Sequence, residues 1–287
     1  MGSRAAASLR AEAEVPAADR FQFGENWSRF LALLTDERIA DAETSLKEML
    51  AVAHLAGCRF LDIGCGSGLF SLAARRLGAV VHSFDDDPQS VECAQELRRR
   101  YFANDGSWRV EQGSVLDRGY LQSLGEFDVV YSWGVLHHTG AMWLALEHAV
   151  GSVAPGGSLF IAVYADQGWK SRAWWFVKLW YNLLPRVLRP LYVWTVSGLV
   201  RLLVILKYTL MLRPMTALAP LFRRRPARGM SAKHDRIDWI GGFPYEYASL
   251  ETLVGYLESR GFAVTRTRRA QSLGCHELVA RRRPCVA

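Results

Sequence analysis

Arg59-Phe60-Leu61-Asp62-Ile63-Gly64-Cys65-Gly66-Ser67-Gly68-Leu69-Phe70 is the stretch whose reading decides the fold. Its apolar run reads as a buried strand, ending in an acidic residue and then three glycines that alternate with small residues. A helical pattern over residues 71–77 follows and stops at Gly78. Glycines let a backbone turn sharply and approach a ligand closely. The amides that open the next helix point at whatever sits there. Phosphate is one guest for such a loop, but Asp62 would repel it. A ligand that carries an ammonium and a carboxylate together fits better.

Outward from this stretch, strands and helices alternate. Residues 21–50 read as helical, with Phe30, Leu33, Leu34 and Ile39 on the apolar side. Residues 80–84 form a second strand that runs into Asp85, Asp86 and Asp87, and Pro88 suits the first turn of a helix reaching about Arg100. Trp108–Gln112 and residues 127–132 read as the third and fourth strands. A helix over 142–153 stops before Pro155-Gly156-Gly157, and 158–164 is the fifth strand. After an 80-residue interval come an amphipathic helix at 249–260 and two strands, Phe262–Arg268 and 277–280, suited to an antiparallel hairpin at the sheet edge.

Such alternation predicts a mostly parallel sheet covered on both faces. Right-handed crossovers place the strand ends Asp62, Asp85, Ser132 and Tyr164 along one edge. Ligands bind in the crevice at that edge, where the strand order reverses. The expected fold is α/β and Rossmann-like: a mostly parallel seven-stranded sheet, helices on both faces, a C-terminal antiparallel hairpin and a helical cap inserted after the fifth strand. The expected division is a tail at 1–20, a main domain at 21–164 and 248–283, and an inserted cap or acceptor region at 165–247.

The 287 residues, half of them hydrophobic, suffice for one large domain with an insertion. The net charge of +7 is uneven: residues 168–228 hold twelve Lys or Arg and no Asp or Glu. The rest of the chain is therefore slightly acidic. A nucleic-acid enzyme would carry basic residues around the cleft as well, so no nucleic-acid partner is expected. Five scattered cysteines form no CxxC pair, which points to a reducing compartment and no structural metal site. The N-terminus has no apolar core for a signal peptide, and Ala6 breaks the myristoylation pattern. A cytoplasmic protein is expected, peripheral to a membrane if the insertion touches one.

Five blocks now stand in order: LDIGCGSG, SFDDDPQSV, VEQGSVLD, FDVVYSWGVLHH and APGGSLFIAVY. Together they resemble class I S-adenosylmethionine-dependent methyltransferases, closest to the small-molecule enzymes related to the quinone O-methylases. The resemblance spans about residues 21–283 and implies S-adenosylmethionine as cofactor. It implies that Asp62 organises the loop near the methionine ammonium and that Gly64 and Gly66 let the backbone pass close by. Ser114 and Val115 match the loop that touches adenine, with Asp117 as an alternative contact. Phe84, Asp86 and Trp133 flank adenine or ribose, and Ser132 ends the strand beside them. Phe23-Gly24-Glu25-Asn26-Trp27 folds over the cofactor as a lid, again by resemblance. Independently, Asp85 follows the glycines by about 20 residues, where a carboxylate accepts ribose hydroxyls. Asp87 reads better as a helix cap. An NAD site needs GxGxxG, and Leu69 stands where that spacing departs from it.

Methyl transfer asks for alignment, exclusion of water and, for a hydroxyl acceptor, a base. His137-His138 leaves the fourth strand at the crevice, where the resemblance places a Glu-His or His-His pair. His138 is the first candidate base and His137 the second; local packing is the plain alternative for both. His234, beside Asp235 and Asp238, is a third candidate, and Tyr245 and Glu246 are candidate acceptor contacts. A structured connection with turn glycines is the competing reading of that loop. The reading is S-adenosylmethionine-dependent methyl transfer to a hydroxyl of a small or lipid-linked acceptor. N- or C-methylation, another group transfer, and a non-catalytic cofactor-binding protein of the same fold stay open.

The segment 168–228 holds five of the ten tryptophans. Its apolar run contains Arg201, and Pro185 and Pro190 are expected to break what precedes it, against a clean transmembrane span. A cap over a greasy pocket, a membrane-surface contact and a homodimer interface are the three readings of this segment.

Overall fold

The computed structural model describes residues 34–211 and 239–284. Seven strands form one sheet in the order β3-β2-β1-β4-β5-β7-β6. They are β1 Arg59–Ile63, β2 Val80–Asp85, β3 Trp108–Gln112, β4 Phe127–Trp133, β5 Val153–Tyr164, β6 Phe262–Arg268 and β7 Cys275–Arg282. β1 to β5 pair in parallel, and β7 runs antiparallel to both β5 and β6. The mostly parallel sheet and its terminal hairpin are as expected. The order reverses beside β1, which sits between β2 and β4. The crevice therefore opens above Asp62, between Asp85 and the end of β4.

Helices cover both faces: α1 Asp36–Leu50, α2 Leu69–Arg76, α3 Pro88–Phe102, α4 Arg118–Leu124, α5 Met142–Gly151, α6 Trp169–Leu183, α7 Arg189–Leu210 and α8 Leu250–Ser259. Adjacent strand residues point to opposite sides. Leu61, Ile63, Val130, Leu159 and Ile161 join Leu146, Leu253 and Phe262 in one apolar layer. Phe60, Val129 and Phe160 join Ile39, Leu46, Leu72 and Trp108 in the other. Truncating a core side chain such as Leu61, fully buried, costs about 2–5 kcal/mol.

Three local expectations change. The fifth helix ends at Gly151 rather than 153, and β5 begins at Val153, which pairs with Phe127. Pro155-Gly156-Gly157 is a bulge inside β5, where the register against β4 shifts. Helix α4 has too few apolar residues to stand out in the sequence; Asp117 caps it by accepting from the Tyr120 amide at 2.9 Å. The insertion does break before its long apolar run, as expected: α6 ends at Leu183 and α7 begins at Arg189. Pro190 lies in the first turn of α7, where its missing N–H is no loss, and the helix is 22 residues long.

Within the insertion, α6 packs on the chain that returns to the sheet. Trp174 and Tyr181 form a third apolar cluster with Ile240, Phe243 and Tyr245. The Trp174 indole donates to the Trp239 carbonyl at 3.1 Å, and the Asn182 amide donates to the Gly241 carbonyl at 2.8 Å.

Candidate active site

A cavity of about 830 Å³ occupies the crevice. It runs from Asp85, Asp86 and Ser114, past Asp62 and the 64–67 loop, to His137, His138 and Tyr164. The size suits a cofactor with part of an acceptor.

The Asp62–Asp85 end is set by short-range bonds. The Gly64 and Cys65 amides donate to the Phe84 carbonyl at 2.9 and 3.0 Å, so the loop is strapped to the end of β2. Asp85 accepts from the Gly66 amide at 2.9 Å and from the Asp87 amide at 3.0 Å. Each carboxylate oxygen keeps a second acceptor position. Gly64 has φ +72°, and a Cβ there would come within 2.4 Å of the Val135 side chain. Glycine is needed at that position for conformation and for space.

Asp62, 2% exposed, accepts from the Ser71 hydroxyl, which also meets Ser83 at 2.7 Å. Ser83 in turn accepts from the Trp108 indole at 2.9 Å. Burial raises the Asp62 pKa to about 7, the Ser71 hydrogen bond opposes this, and the Asp85 charge adds to it. Burial likewise raises Asp85 to about 6, against the Gly66 and Asp87 amides. Two carboxylates held reluctantly ionised at one end of a cavity are suited to a ligand bearing positive charge and hydroxyl donors.

The other candidates for this end divide. Ser114, Val115, Asp86, Phe84 and Trp133 line the cavity as expected. Asp87 caps α3 by accepting from the Gln89 amide at 2.9 Å. Asp117 serves α4, as described above. Ser132 is fully buried and donates to the Ile63 carbonyl at 3.2 Å, fastening β4 to β1 behind the cavity wall. Its expected cofactor contact gives way to that support. Trp27 and His234 lie outside the described residues.

At the other end, the β4–α5 turn meets the chain returning from the insertion. The His138 Nδ1 is 2.6 Å from the Pro244 carbonyl. A carbonyl only accepts, so Nδ1 carries the proton and Nε2 the lone pair. Burial, and then the Lys178 charge, push the His138 pKa down to about 3, against the Pro244 hydrogen bond. The imidazole is therefore neutral throughout the working range of pH. His137, 1% exposed, accepts on Nδ1 from the Tyr164 amide at 3.3 Å, and its carbonyl accepts from the Glu246 amide at 3.0 Å. Burial holds its pKa well below the ordinary value. His137 thus fastens the turn to β5 while also lining the cavity.

Glu246 and Tyr245 were expected to hold an acceptor, and both are placed otherwise. The Glu246 carboxylate accepts from the Met142 amide at 2.9 Å, at the start of α5. Tyr245 is 3% exposed and packs at 4.9 Å from the Tyr164 ring. Lys178 is fully buried, its Nζ 5.2 Å from the Tyr164 ring and 5.0 Å from that of Tyr245. Among the described residues no cluster of His, Cys, Asp or Glu could hold a metal ion.

Residues 20–203 match the family described as a methyltransferase domain. The chain belongs to that family. It is similar to a tRNA U34 carboxymethyltransferase of Methylococcus capsulatus, with 38% identity over 41% of this chain and 36% of that protein. It is also similar to a ubiquinone biosynthesis O-methyltransferase of Parvibaculum lavamentivorans, with 33% identity over 47% of this chain and 52% of that protein. The matched region thus spans about half or less of these relatives' length. In fold it is similar to magnesium protoporphyrin IX methyltransferase of Synechocystis PCC 6803, solved with bound SAH. That match has TM-score 0.52 and 16% identity, and covers 90% of this chain and 93% of that one.

Sequence reading missed several walls of this methyltransferase domain's cavity. Phe70, Tyr131, Thr139, Trp239, Phe243 and Leu273 all line it. Trp239 is fixed by its indole, which donates to the Leu273 carbonyl at 3.0 Å. Phe70 and Tyr131 stack at 5.0 Å. The aromatic density of 239–247 was the one available signal; which of its rings reach the cavity depends on packing against α6.

Proposed function

We propose that the protein transfers the methyl group of S-adenosylmethionine to a hydroxyl of a small or lipid-linked acceptor. The observation that carries this reading is the single cavity joining the two raised carboxylates, Asp62 and Asp85, to the oriented imidazole of His138. Asp85 suits the ribose hydroxyls, Asp62 and the 64–66 loop the methionine part, and Ser114 with Val115 the adenine. The sulfonium of that cofactor supplies an already activated methyl. What remains for this chain is to bind, orient and exclude water, and to accept one proton.

His138 takes that proton on Nε2. The Pro244 carbonyl holds the ring in the required tautomer and steadies the imidazolium. Burial makes His138 a weak base, so an acidic hydroxyl such as a phenol suits it better than an alkyl alcohol. Tyr164, Trp239 and Phe243 offer flat apolar surface to such a ring. Calorimetry with the demethylated cofactor, followed by turnover assays on simple phenols and alcohols, tests the reading. Absence of binding would sink it, and turnover on alkyl alcohols alone would sink the preference for phenols.

The similarity to a tRNA-directed carboxymethyltransferase favours a second reading, transfer of a larger group. The slightly acidic character of the chain outside 168–228 argues against a nucleic-acid acceptor. The mass gained by the product separates the two transfers. We take the protein to work on the cytoplasmic side of a membrane.

A further inference from the structure

We propose that α7, together with the outward face of α6, docks this protein in the plane of an anionic lipid bilayer. The proposal deepens the methyl-transfer reading by placing the acceptor's entry at a lipid surface, and it rests on that reading for the acceptor alone.

The C-terminal half of α7 reads Arg201-Leu202-Leu203-Val204-Ile205-Leu206-Lys207-Tyr208-Thr209-Leu210, and none of these residues is buried. Leu202 is 61% exposed and Leu206 52%. In the first half, Tyr192, Val193, Val196 and Val200 pack on the Trp174–Tyr181 cluster. Leu191 and Trp194 face away from it, 60% and 76% exposed. α6 also leaves Trp169, Phe176, Trp180 and Leu183 exposed, spaced along one of its own faces. A helix this apolar normally has its apolar side chains buried in protein or in lipid. Soluble monomers rarely leave so large an apolar surface uncovered.

Charge selects the occupant. The segment 168–228 carries twelve basic and no acidic residues. A second copy would set like charge against like, whereas anionic head groups complement it. Tryptophan and tyrosine around an apolar helix suit the head-group boundary. By length and composition Arg186–Leu210 is sufficient to cross a membrane. Arg201, however, stands halfway along α7, where a spanning helix would carry it to the bilayer centre at high cost. Lying in the plane, the helix lets Arg201 and Lys207 reach the head groups along their own stems.

The docked surface is tied to the acceptor end of the cavity. Trp174 and Asn182 of α6 hold Trp239 and Gly241, and Trp239, Phe243 and Pro244 line that end. An amphiphile dissolved in the bilayer, with its hydroxyl near the head groups, is the acceptor class this arrangement serves.

The experiment is flotation of the full-length protein with phosphatidylglycerol-containing vesicles and with pure phosphatidylcholine vesicles, beside a Leu202→Glu/Leu206→Glu variant. Both leucines are exposed, so the variant is expected to fold and to bind the demethylated cofactor like the parent in calorimetry. Flotation with the anionic vesicles, weaker on neutral ones and reduced about tenfold or more in the variant, supports the proposal. Equal flotation of parent and variant, equal flotation on both vesicles, or no flotation overturns it. So does a dimer in lipid-free buffer that the variant dissociates, since the face then belongs to a second copy. A protein that floats without binding cofactor overturns the methyl-transfer reading and leaves the docking standing.

Discussion

Gly66 and Asp85 are 19 residues apart in the chain, and one hydrogen bond joins them. His138 and Pro244 are 106 residues apart, and one hydrogen bond joins them too. The first pair closes a single strand–helix–strand unit, whose short connections make it a local consequence of the fold. The second exists only after the insertion has folded back on the sheet and delivered 239–247 to the β4–α5 turn. The Asp62–Asp85 end of the cavity, proposed for the methyl donor, is thus built by local chain geometry, and the His138 end, proposed for the acceptor, by long-range packing.

The largest expected effect is at the acceptor end. His138→Ala should lower turnover about 10²–10⁴-fold, the usual worth of a positioned base, with cofactor affinity within about twofold in calorimetry. If affinity fell as far as turnover, the two ends would be one coupled unit and the contrast would break. At the donor end, Asp85→Ala should weaken cofactor binding roughly tenfold or more, through lost charge-assisted bonds and the released Gly66 amide. An unchanged dissociation constant would remove Asp85 from the site.

Gly64→Ala should destabilise the fold by about 1–3 kcal/mol, from left-handed backbone strain and the clash with Val135. Adding Val135→Ala should recover the clash and leave the strain, a split that denaturant titration of the double-mutant cycle reads directly.

Acid titration separates the ends by sign. Asp62 titrates near 7 when folded and near about 3.9 when unfolded. A raised carboxylate pKa stabilises below the unfolded value, and that contribution is lost as pH rises through the folded one. Asp62 should therefore contribute a loss of stability between about pH 4 and 7, which Asp62→Asn removes, whereas His137 and His138, held below their ordinary pKa, contribute the opposite slope in that window. Cofactor binding should instead strengthen across the upper part of that window, as Asp85 and Asp62 ionise. His138, already neutral there, should add no limb to the turnover profile between about pH 5 and 8.

The smallest effect expected is Asp117→Ala, about 1 kcal/mol of stability for the lost α4 cap, with no change in cofactor affinity. A large change in affinity would return Asp117 to the adenine loop.

The seven strands, the parallel pairing of the first five and the crevice edge were legible because a buried strand needs a continuous apolar run and a crevice needs glycines and an acid at its end. Asp62, Gly64, Gly66 and Asp85 were legible for the same reason: they lie within 24 residues and one supersecondary unit. Ser132 was misread because strand position alone does not say whether a hydroxyl faces the cavity or the neighbouring strand. The break at Pro185 and Pro190 was legible because proline is excluded from a helix interior and tolerated in a first turn, and the new helix begins at Arg189.

By itself, then, the sequence determined the strands, their order along the chain and the residues that meet at the Asp62–Asp85 end of the cavity, since local pattern and chain connectivity suffice for these. Tertiary structure alone decided that Pro244 sets the tautomer of His138, that Glu246 caps α5 and that, among the described residues, the C-terminal half of α7 stays exposed. Each depends on which surfaces meet across more than 100 residues of chain, or fail to meet at all, and no local pattern records that.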